Sequence, residues 1–249
     1  MKRGGRHRWL RASAPQVLTG ARVALGGAAI ITALDGRLYP AAALITAGAV
    51  TDVLDGSLAR RLGVASAFGA LFDTFSDYLC FIVAPWLLTR ALVAADGGVA
   101  HEALAGLPLL TGALRYARNS LLIVARGEEV RELPGLATVF FAFLPVAAVF
   151  LDARAHVGGP ALSGILTFFV VTFSLLMVAP VRYPKLSKVR GMSAAVSVPL
   201  VLMPFFGTRV LAGVMLVGGL LYVAFAHLLV RGGGPVAGDP RRGAPRGGR

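Results

Sequence analysis

The chain has 249 residues, of which 56% are hydrophobic and only 15% are charged, and its mean hydropathy is +0.73. A soluble domain of this length shows polar faces at regular spacing, whereas here apolar runs of about 20 residues follow one another with short polar joints. The single cysteine, Cys80, excludes an intrachain disulfide framework and argues against redox chemistry. These features predict an all-α protein that crosses the bilayer several times.

In chain order, the apolar runs predict about eight transmembrane helices. They cover residues 18–35, 39–56, 67–90, 103–125, 133–152, 159–181, 192–207 and 209–230. The chain then divides into a basic head or interfacial segment (1–17), a transmembrane domain (18–230) and a disordered basic tail (231–249). Arg22 interrupts the first apolar run and further spans follow, so we expect the head to be retained rather than cleaved as a signal peptide.

The basic residues predict the topology independently of hydropathy. With eight spans and a cytoplasmic N-terminus, the outer joints hold only four of the 25 Lys and Arg residues: Arg37, Arg90, Arg154 and Arg209. This asymmetry follows the positive-inside rule and predicts a multi-pass protein of the cell (inner) membrane with both termini in the cytoplasm. The net charge of +13 has the same origin, because the head and tail would lie against an anionic leaflet, and no nucleic-acid partner is expected.

Four aspartates stand out against this apolar background. Asp52 and Asp55 are three residues apart near the end of the second span, and Asp73 and Asp77 are four apart near the start of the third. Each pair therefore shares a helix face, and a short loop between antiparallel helices would bring the two faces together. Clustered carboxylates repel unless they are neutralised, and their hard oxygens suit Mg²⁺, Mn²⁺ or Ca²⁺. The pattern predicts a site for divalent cations, holding one ion or two.

Small residues accompany the acids. Gly56, Ala59 and Gly69 lie on or beside the same faces, where the lack of a bulky side chain would let a flat base or a phosphate approach the backbone. Close helix packing in a membrane is an equally good explanation of these three residues taken alone. Arg60 is placed to contact a phosphate, and Arg61 is better explained as a cytoplasmic anchor.

Together these positions resemble a known family signature. The pattern Asp52-x2-Asp55-Gly56-x2-Ala59-Arg60-x8-Gly69-x3-Asp73-x3-Asp77 is similar, at every fixed position, to that of the CDP-alcohol phosphatidyltransferases. The resemblance implies a six-helix catalytic core within the eight spans, and a metal-dependent transfer of a phosphatidyl group from CDP-diacylglycerol to an alcohol, with release of CMP. It also implies a homodimer in the lipid bilayer and an active site open to the cytoplasm.

The resemblance also implies roles for the signature residues. Asp52, Asp55, Asp73 and Asp77 would hold Mg²⁺ or Mn²⁺, as two ions, and Asp77 would in addition be the general base on the acceptor hydroxyl. The nucleotide would be bound by Asp52, Gly56, Ala59, Arg60 and Gly69. A pair of cations suits this reaction, because it offsets charge on both the attacking and the leaving oxygen.

The acceptor alcohol is indicated by weaker features. The segments around Pro85, Arg115, Pro134 and Arg182 resemble those of the membrane-integral phosphatidylserine synthases, which implies L-serine as the acceptor. Candidate acceptor-binding residues are Arg115, Arg118, Asn119 and Arg182. The three arginines would receive a carboxylate and would equally receive a phosphate, and Asn119 is a candidate for polar recognition. Glycerol 3-phosphate and an inositol compound therefore stay open as alternatives.

A cation or proton transporter is the alternative from another class, since acids inside a membrane also mark ion pathways. In a transporter the acids should be spread across the membrane depth. Here all four fall near one end of two neighbouring spans, which favours the transferase.

Overall fold

The computed structural model describes residues 3–64, 66–93, 98–126, 135–152 and 159–180, together with residues 209, 212, 213, 217, 218 and 220. Within these ranges, the side chains of residues 3–12, 60, 98–103, 105, 125 and 126 are outside the description. The predicted spans 192–207 and 209–230 therefore lie outside the described residues, apart from those six positions.

The described part of the chain is helical and contains no strand. Its elements are α1 (Arg3–Leu34), α2 (Leu38–Leu62), α3 (Ala67–Tyr78), a π-helical turn (Leu79–Val83), α4 (Ala84–Leu92), α5 (Gly98–Arg126), α6 (Thr138–Phe150) and α7 (Gly159–Val178). Four stretches are long and apolar enough to cross a membrane: Ser13–Leu34, Leu38–Ala59, Ala67–Leu92 and Gly159–Val178. The all-α class is confirmed over these residues, whereas eight spans and a six-helix core remain predictions.

Helices α1 and α2 form an antiparallel hairpin with extensive contacts along their length. Gly36 makes the turn between them with a φ of +73°, a left-handed conformation that glycine adopts without the steric penalty of a Cβ.

Helix α2 ends at Gly63, which also has a positive φ, and whose N–H donates to the carbonyl of Ala59. Ser66 then caps α3 by accepting a hydrogen bond from the Gly69 N–H at 3.0 Å. The short α2–α3 connection brings the ends that carry the aspartates next to each other.

Helices α3 and α4 form one long rod whose regular hydrogen bonding is interrupted by the π-helical turn. Pro85 explains the interruption, because proline has no N–H to donate and its ring clashes with the preceding turn of a regular α-helix. The chain widens instead, and the N–H of Ala84 bonds the carbonyl of Leu79.

The π-helical turn packs very closely against the α1–α2 hairpin through Cys80, which is fully buried. A Cβ added at Gly26 of α1 would lie 3.2 Å from the Cys80 Cα, and one added at Gly48 of α2 would collide with the Cys80 sulfur. Cys80 is thus a small residue packed in the core. Because Gly26 is one helical turn after Arg22, and Cys80 is one turn after Asp77, this contact also brings those two charged residues together.

Helix α6 lies within the core rather than on its surface. Nearly all of its residues are buried, including Phe140, Phe141 and Phe143, and it packs against α2, α4 and α7. It has 13 residues, so at about 1.5 Å per residue it is shorter than the roughly 30 Å hydrocarbon core of a bilayer. The predicted span at 133–152 is therefore longer than the helix within it.

Gly135 explains why α6 begins late. Its φ is +91°, which a helix cannot contain, and the following segment is extended, with the Leu136 N–H bonding the carbonyl of Leu176 at 3.0 Å. A Cβ at Gly135 would collide with the Met177 carbonyl.

We expect Gly135→Ala to destabilise the protein by about 2 kcal/mol or more, because it adds both a disfavoured φ and a backbone clash. The measurement is the thermal unfolding temperature of the purified protein in detergent. Gly27→Ala is the matched control, since Gly27 lies in a helix with open space at its Cβ position, and it should leave the unfolding temperature unchanged or raise it slightly. Equal unfolding temperatures for the two variants would contradict this explanation.

Candidate active site

The four aspartates converge, as the sequence predicts, where α2 ends and α3 begins. Asp52 and Asp55 come from α2, Asp73 and Asp77 from α3, and all four form ion pairs with one arginine, Arg22 of α1. The spacing of three and four residues keeps each pair on one helix face, and the short connection places the faces opposite each other. The acids therefore form one cluster rather than a line across the membrane.

Arg22 lies at the centre of this cluster and is completely buried. Its Nη1 contacts Asp52 and lies 2.9 Å from Asp77 Oδ1, and its Nη2 contacts Asp73 and lies 3.5 Å from Asp55 Oδ2. The pair with Asp77 is close but is not aligned as a hydrogen bond. The remaining nitrogen, Nε, donates to the hydroxyl of Ser76 at 2.8 Å.

A second residue of α1 contacts the cluster from one helical turn away. The hydroxyl of Thr19 donates to Asp55 Oδ2 at 3.0 Å, and both residues are buried. Helix α1 thus supplies a donor to Asp55 through Thr19 and a cation to all four acids through Arg22. Buried polar groups require such partners, because water cannot solvate them there.

The cluster opens to one side. The Asp52 and Asp73 side chains are 37% and 44% exposed, whereas that of Asp55 is only 6% exposed. These three residues each place a carboxylate oxygen so that the oxygens lie within 4.8 Å of one another. Three hard, anionic oxygens at this separation, two of them reachable from outside, are a donor set that fits a divalent cation. Asp77 lies beside this set of three and shares Arg22 with it.

The predicted nucleotide-binding residues lie next to the acids. Gly56 follows Asp55, Ala59 lies one helical turn further along α2, and both are half-buried. Gly69 is in the first turn of α3, where a Cβ would lie 3.1 Å from the Ser66 hydroxyl. The structure thus shows a packing reason for glycine at position 69, and a role in nucleotide binding stays a prediction. Arg60 belongs to α2, and its side chain is outside the described residues.

Three of the four predicted acceptor-binding residues lie on the second half of α5. Arg115 and Asn119 are buried, at 7% and 3% exposure. Within the described part of the chain, Arg115 Nε and Asn119 Oδ1 have no hydrogen-bond partner. Arg118 reaches the start of the segment before α6, where its Nη2 would lie 3.3 Å from a Cβ at Gly135. The fourth residue, Arg182, lies outside the described residues.

Two aromatic residues connect α3, α5 and α6 at this site. The Tyr116 hydroxyl is 2.6 Å from that of Thr138, and the Tyr116 ring meets Tyr78 edge to face at 5.9 Å. The Tyr78 hydroxyl in turn donates to the carbonyl of Leu109 at 3.0 Å. These contacts hold the α5 face that carries Arg115 against the helix that carries Asp77.

Sequence reasoning missed several polar residues of this region. Arg22 was interpreted only as an interruption of an apolar run, although a charge inside such a run is itself a signal of function. Thr19 and Ser76 gave no separate signal, because single hydroxyl residues are common in membrane helices. Ser174 of α7 is also fully buried, and its hydroxyl has no hydrogen-bond partner within the described residues.

A helical bundle with membrane-length spans and a cluster of four acids defines a membrane protein with a candidate metal-dependent active site. Residues 12–202 match the family profile of the CDP-alcohol phosphatidyltransferases, and the chain belongs to that family. It is therefore an enzyme of the phosphatidyltransferase class.

Individual relatives agree with this assignment. The chain is 31% identical over 176 residues to the CDP-diacylglycerol–serine O-phosphatidyltransferase of Helicobacter pylori, covering 71% of this chain and 73% of that protein. It is 30% identical over 184 residues to the archaetidylserine synthase of Methanothermobacter thermautotrophicus, covering 73% and 72%. A third relative, the CDP-diacylglycerol–serine O-phosphatidyltransferase of Methanocaldococcus jannaschii, is 31% identical over 158 residues, covering 63% and 69%.

Proposed function

We propose that this protein transfers a phosphatidyl group from CDP-diacylglycerol to L-serine, forming phosphatidylserine and releasing CMP. The observation that carries the proposal is the convergence of the four signature aspartates in a cluster that is open on one side. The names of the relatives support the donor and the acceptor. The clustering also favours this reaction over ion transport, which would require acids at several depths.

In this proposal, Asp52, Asp55 and Asp73 hold Mg²⁺ or Mn²⁺, as two ions. When bound, the ions would supply positive charge to the phosphate oxygens and to the attacking and leaving oxygens. Asp52 and Asp73 contribute the exposed side of the site, and Asp55 contributes its buried floor, where Thr19 orients one of its oxygens. Gly56, Ala59 and Gly69 would let the nucleotide approach the backbone along the same faces, and Arg60 would contact its phosphates.

Asp77 completes the metal site in this proposal and is also the general base. Its Oδ1 is buried and pairs with Arg22 at 2.9 Å, but it makes no aligned hydrogen bond within the described residues, which leaves a lone pair to accept a proton from a substrate hydroxyl. Asp77 lies on α3, which packs against α5, the helix that carries three of the residues proposed to bind the acceptor. The serine hydroxyl would lose its proton to Asp77 as its oxygen attacks phosphorus, and CMP would leave.

The α5 residues favour serine among the candidate acceptors. Arg115 and Arg118 would bind the serine carboxylate, with Arg182 as a further contact. Asn119 Oδ1 is a buried acceptor without a partner in the described part of the chain, and the serine ammonium group is a donor that would satisfy it. Glycerol 3-phosphate would also satisfy the arginines, but its hydroxyls are neutral donors and would bond this oxygen more weakly than an ammonium group does.

The remaining predictions belong to the same proposal. They are a homodimer in the cell membrane, with both termini in the cytoplasm and the site open to the cytoplasm. The basic residues support this orientation by the positive-inside rule.

The decisive assay offers one acceptor at a time to purified protein with CDP-diacylglycerol and Mn²⁺ or Mg²⁺. The acceptors are serine, glycerol 3-phosphate, inositol and inositol phosphate, and the measurement is the rate of CMP release. We expect CMP release that depends on serine and on the metal. Release with another acceptor and none with serine would overturn the acceptor, and release with none of them would contradict phosphatidyl transfer.

The same assay tests the acceptor site through Arg115→Lys. Lysine keeps the charge but loses the planar donor pair that binds a carboxylate, so we expect the KM for serine to rise about tenfold while the KM for CDP-diacylglycerol is unchanged. Arg37→Lys, in the exposed α1–α2 turn, is the matched control and should change neither constant. A rise in both constants for Arg115→Lys would contradict a role confined to the acceptor.

A further inference from the structure

Arg22 makes an unusual set of contacts for a membrane-buried arginine. Every nitrogen of its guanidinium group is used: Nε on Ser76, Nη1 on Asp52 and Asp77, and Nη2 on Asp55 and Asp73. Its side chain is completely inaccessible to solvent, and the Phe81 ring lies 6.0 Å from its Cζ. No signature position accounts for this residue, because it comes from α1, outside the Asp52–Asp77 segment.

The cluster around Arg22 contains more negative than positive charge. Four carboxylates surround one guanidinium, so the ionised cluster keeps three formal negative charges. Arginine remains charged in proteins, and the five N–H donors of its planar guanidinium group can contact several carboxylates at once. Arg22 therefore reduces the mutual repulsion of the acids, but it leaves enough negative charge to attract divalent cations.

The guanidinium also contacts the carboxylates that would hold a metal. Asp52, Asp55 and Asp73 place their oxygens within 4.8 Å of one another, and Arg22 contacts each of these three residues. A divalent cation bound to these carboxylates would meet a positive charge at a few ångströms, which is repulsive. Arg22 and the metal therefore compete for the same carboxylates.

We propose that Arg22 is an internal counter-cation of the active site: it holds the four carboxylates together in the metal-free protein, and divalent cations must displace it from them. It is a positioning residue, since its action on the reaction passes through the carboxylates. The inference rests on the proposed function in one respect, namely that the aspartate cluster binds a divalent cation. Its consequence is a site that stays assembled without metal, with a weaker metal affinity than the same acids would have alone.

The test compares wild-type protein, Arg22→Met and Arg22→Lys, each as the full chain in detergent. Thermal unfolding is measured in EDTA and in Mn²⁺, and Mn²⁺ binding is measured by electron paramagnetic resonance of the unbound ion. In EDTA we expect Arg22→Met to unfold about 10 °C below wild type, because four acids lose their shared partner. We expect it to bind Mn²⁺ about tenfold more tightly, and to recover most of its stability when the metal is bound.

Arg22→Lys keeps one positive charge but loses the planar guanidinium group. Its unfolding temperature in EDTA and its Mn²⁺ affinity should therefore both lie between those of wild type and Arg22→Met. If Arg22→Met cannot be purified, Arg22→Lys carries the test alone, with a lower unfolding temperature in EDTA and tighter Mn²⁺ binding than wild type. Arg37→Met, an equal loss of charge in the exposed α1–α2 turn, is the matched control and should match wild type in both measurements.

The outcomes separate this inference from the proposed function. Unchanged Mn²⁺ affinity in both Arg22 variants would overturn the inference while leaving the metal site intact. The same loss of stability with and without Mn²⁺ would also overturn it, because Arg22 would then be a packing residue. Absence of Mn²⁺ binding to the wild-type protein would instead contradict the metal site of the proposed function.

Discussion

Replacing any one of Asp52, Asp55 or Asp73 with asparagine is expected to lower CMP release from CDP-diacylglycerol at least about a thousandfold. Asparagine keeps the size of the side chain but replaces one charged oxygen by an amide nitrogen, which is a poor ligand for Mg²⁺ or Mn²⁺. The three residues bring their oxygens within 4.8 Å of one another, so each variant removes one ligand from the proposed set of three. The measurement is metal-dependent CMP release by each purified variant.

Folding must be separated from chemistry in these three variants. Asp35→Asn is the matched control, because Asp35 is exposed in the α1–α2 turn, and it should retain wild-type turnover. Each cluster variant should elute as a single folded species in detergent and unfold cooperatively. Turnover near the wild-type rate in all three cluster variants would contradict the proposed metal site.

Asp77→Asn is expected to separate binding from chemistry. We expect kcat to fall by about 10²–10⁴, the usual contribution of a general base, while the Mn²⁺-dependent affinity for CDP changes only a few-fold. The physical reason is that Asp77 lies beside the set of three close carboxylates, and a base acts only after the donor has docked. CMP release under saturating substrates and calorimetric titration with CDP provide the two measurements.

Asp52→Asn is the control for this prediction, because Asp52 is a proposed metal ligand and not the base. Asp52→Asn should weaken CDP binding together with turnover, since it removes both a metal ligand and a proposed nucleotide contact. If Asp77→Asn lost CDP affinity and turnover to the same degree, Asp77 would act only as a metal ligand or a structural residue, and not also as the base.

The arrangement of the acids could be predicted because it depends on local geometry. A separation of three or four residues places two side chains on one helix face whatever surrounds the helix. The short connection from Gly63 to Ser66 leaves little freedom in how α2 and α3 meet. The convergence of Asp52, Asp55, Asp73 and Asp77 can therefore be predicted from the spacing together with the short connection.

The place of Arg22 could not be predicted in the same way. It is 30 residues from Asp52 and 51 from Asp73, and helical periodicity does not say how α1 is rotated against its neighbours. That rotation depends on close packing at Gly26, Gly48 and Cys80, where the lack of side-chain bulk lets the three elements approach. Glycine and cysteine are common in membrane helices, so these three residues give no signal in the sequence. Only their contact in the structure shows how α1 is rotated against α2 and the π-helical turn.

The extent of α6 shows another limit of the sequence. Hydropathy continues across residues 133–152, but the helix covers only Thr138–Phe150, because Gly135 has a left-handed backbone and Leu136 bonds α7 instead. Hydropathy reports whether a residue avoids water and not which backbone partner it has. The length of a buried helix is therefore less predictable than the position of a charged pair.

The π-helical turn at Leu79–Val83 changes the direction in which side chains point around the axis of the α3–α4 rod. A π turn accommodates about one additional residue, so the side chains beyond it are rotated by roughly 100° from where an uninterrupted α-helix would place them. Before the turn, Asp73 and Asp77 point to Arg22; after it, Leu88 points into the apolar core. A regular α-helix of the same sequence could point the aspartates to Arg22 or Leu88 into the core, but not both. The π-helical turn therefore allows one rod to carry active-site residues at one end and core residues at the other.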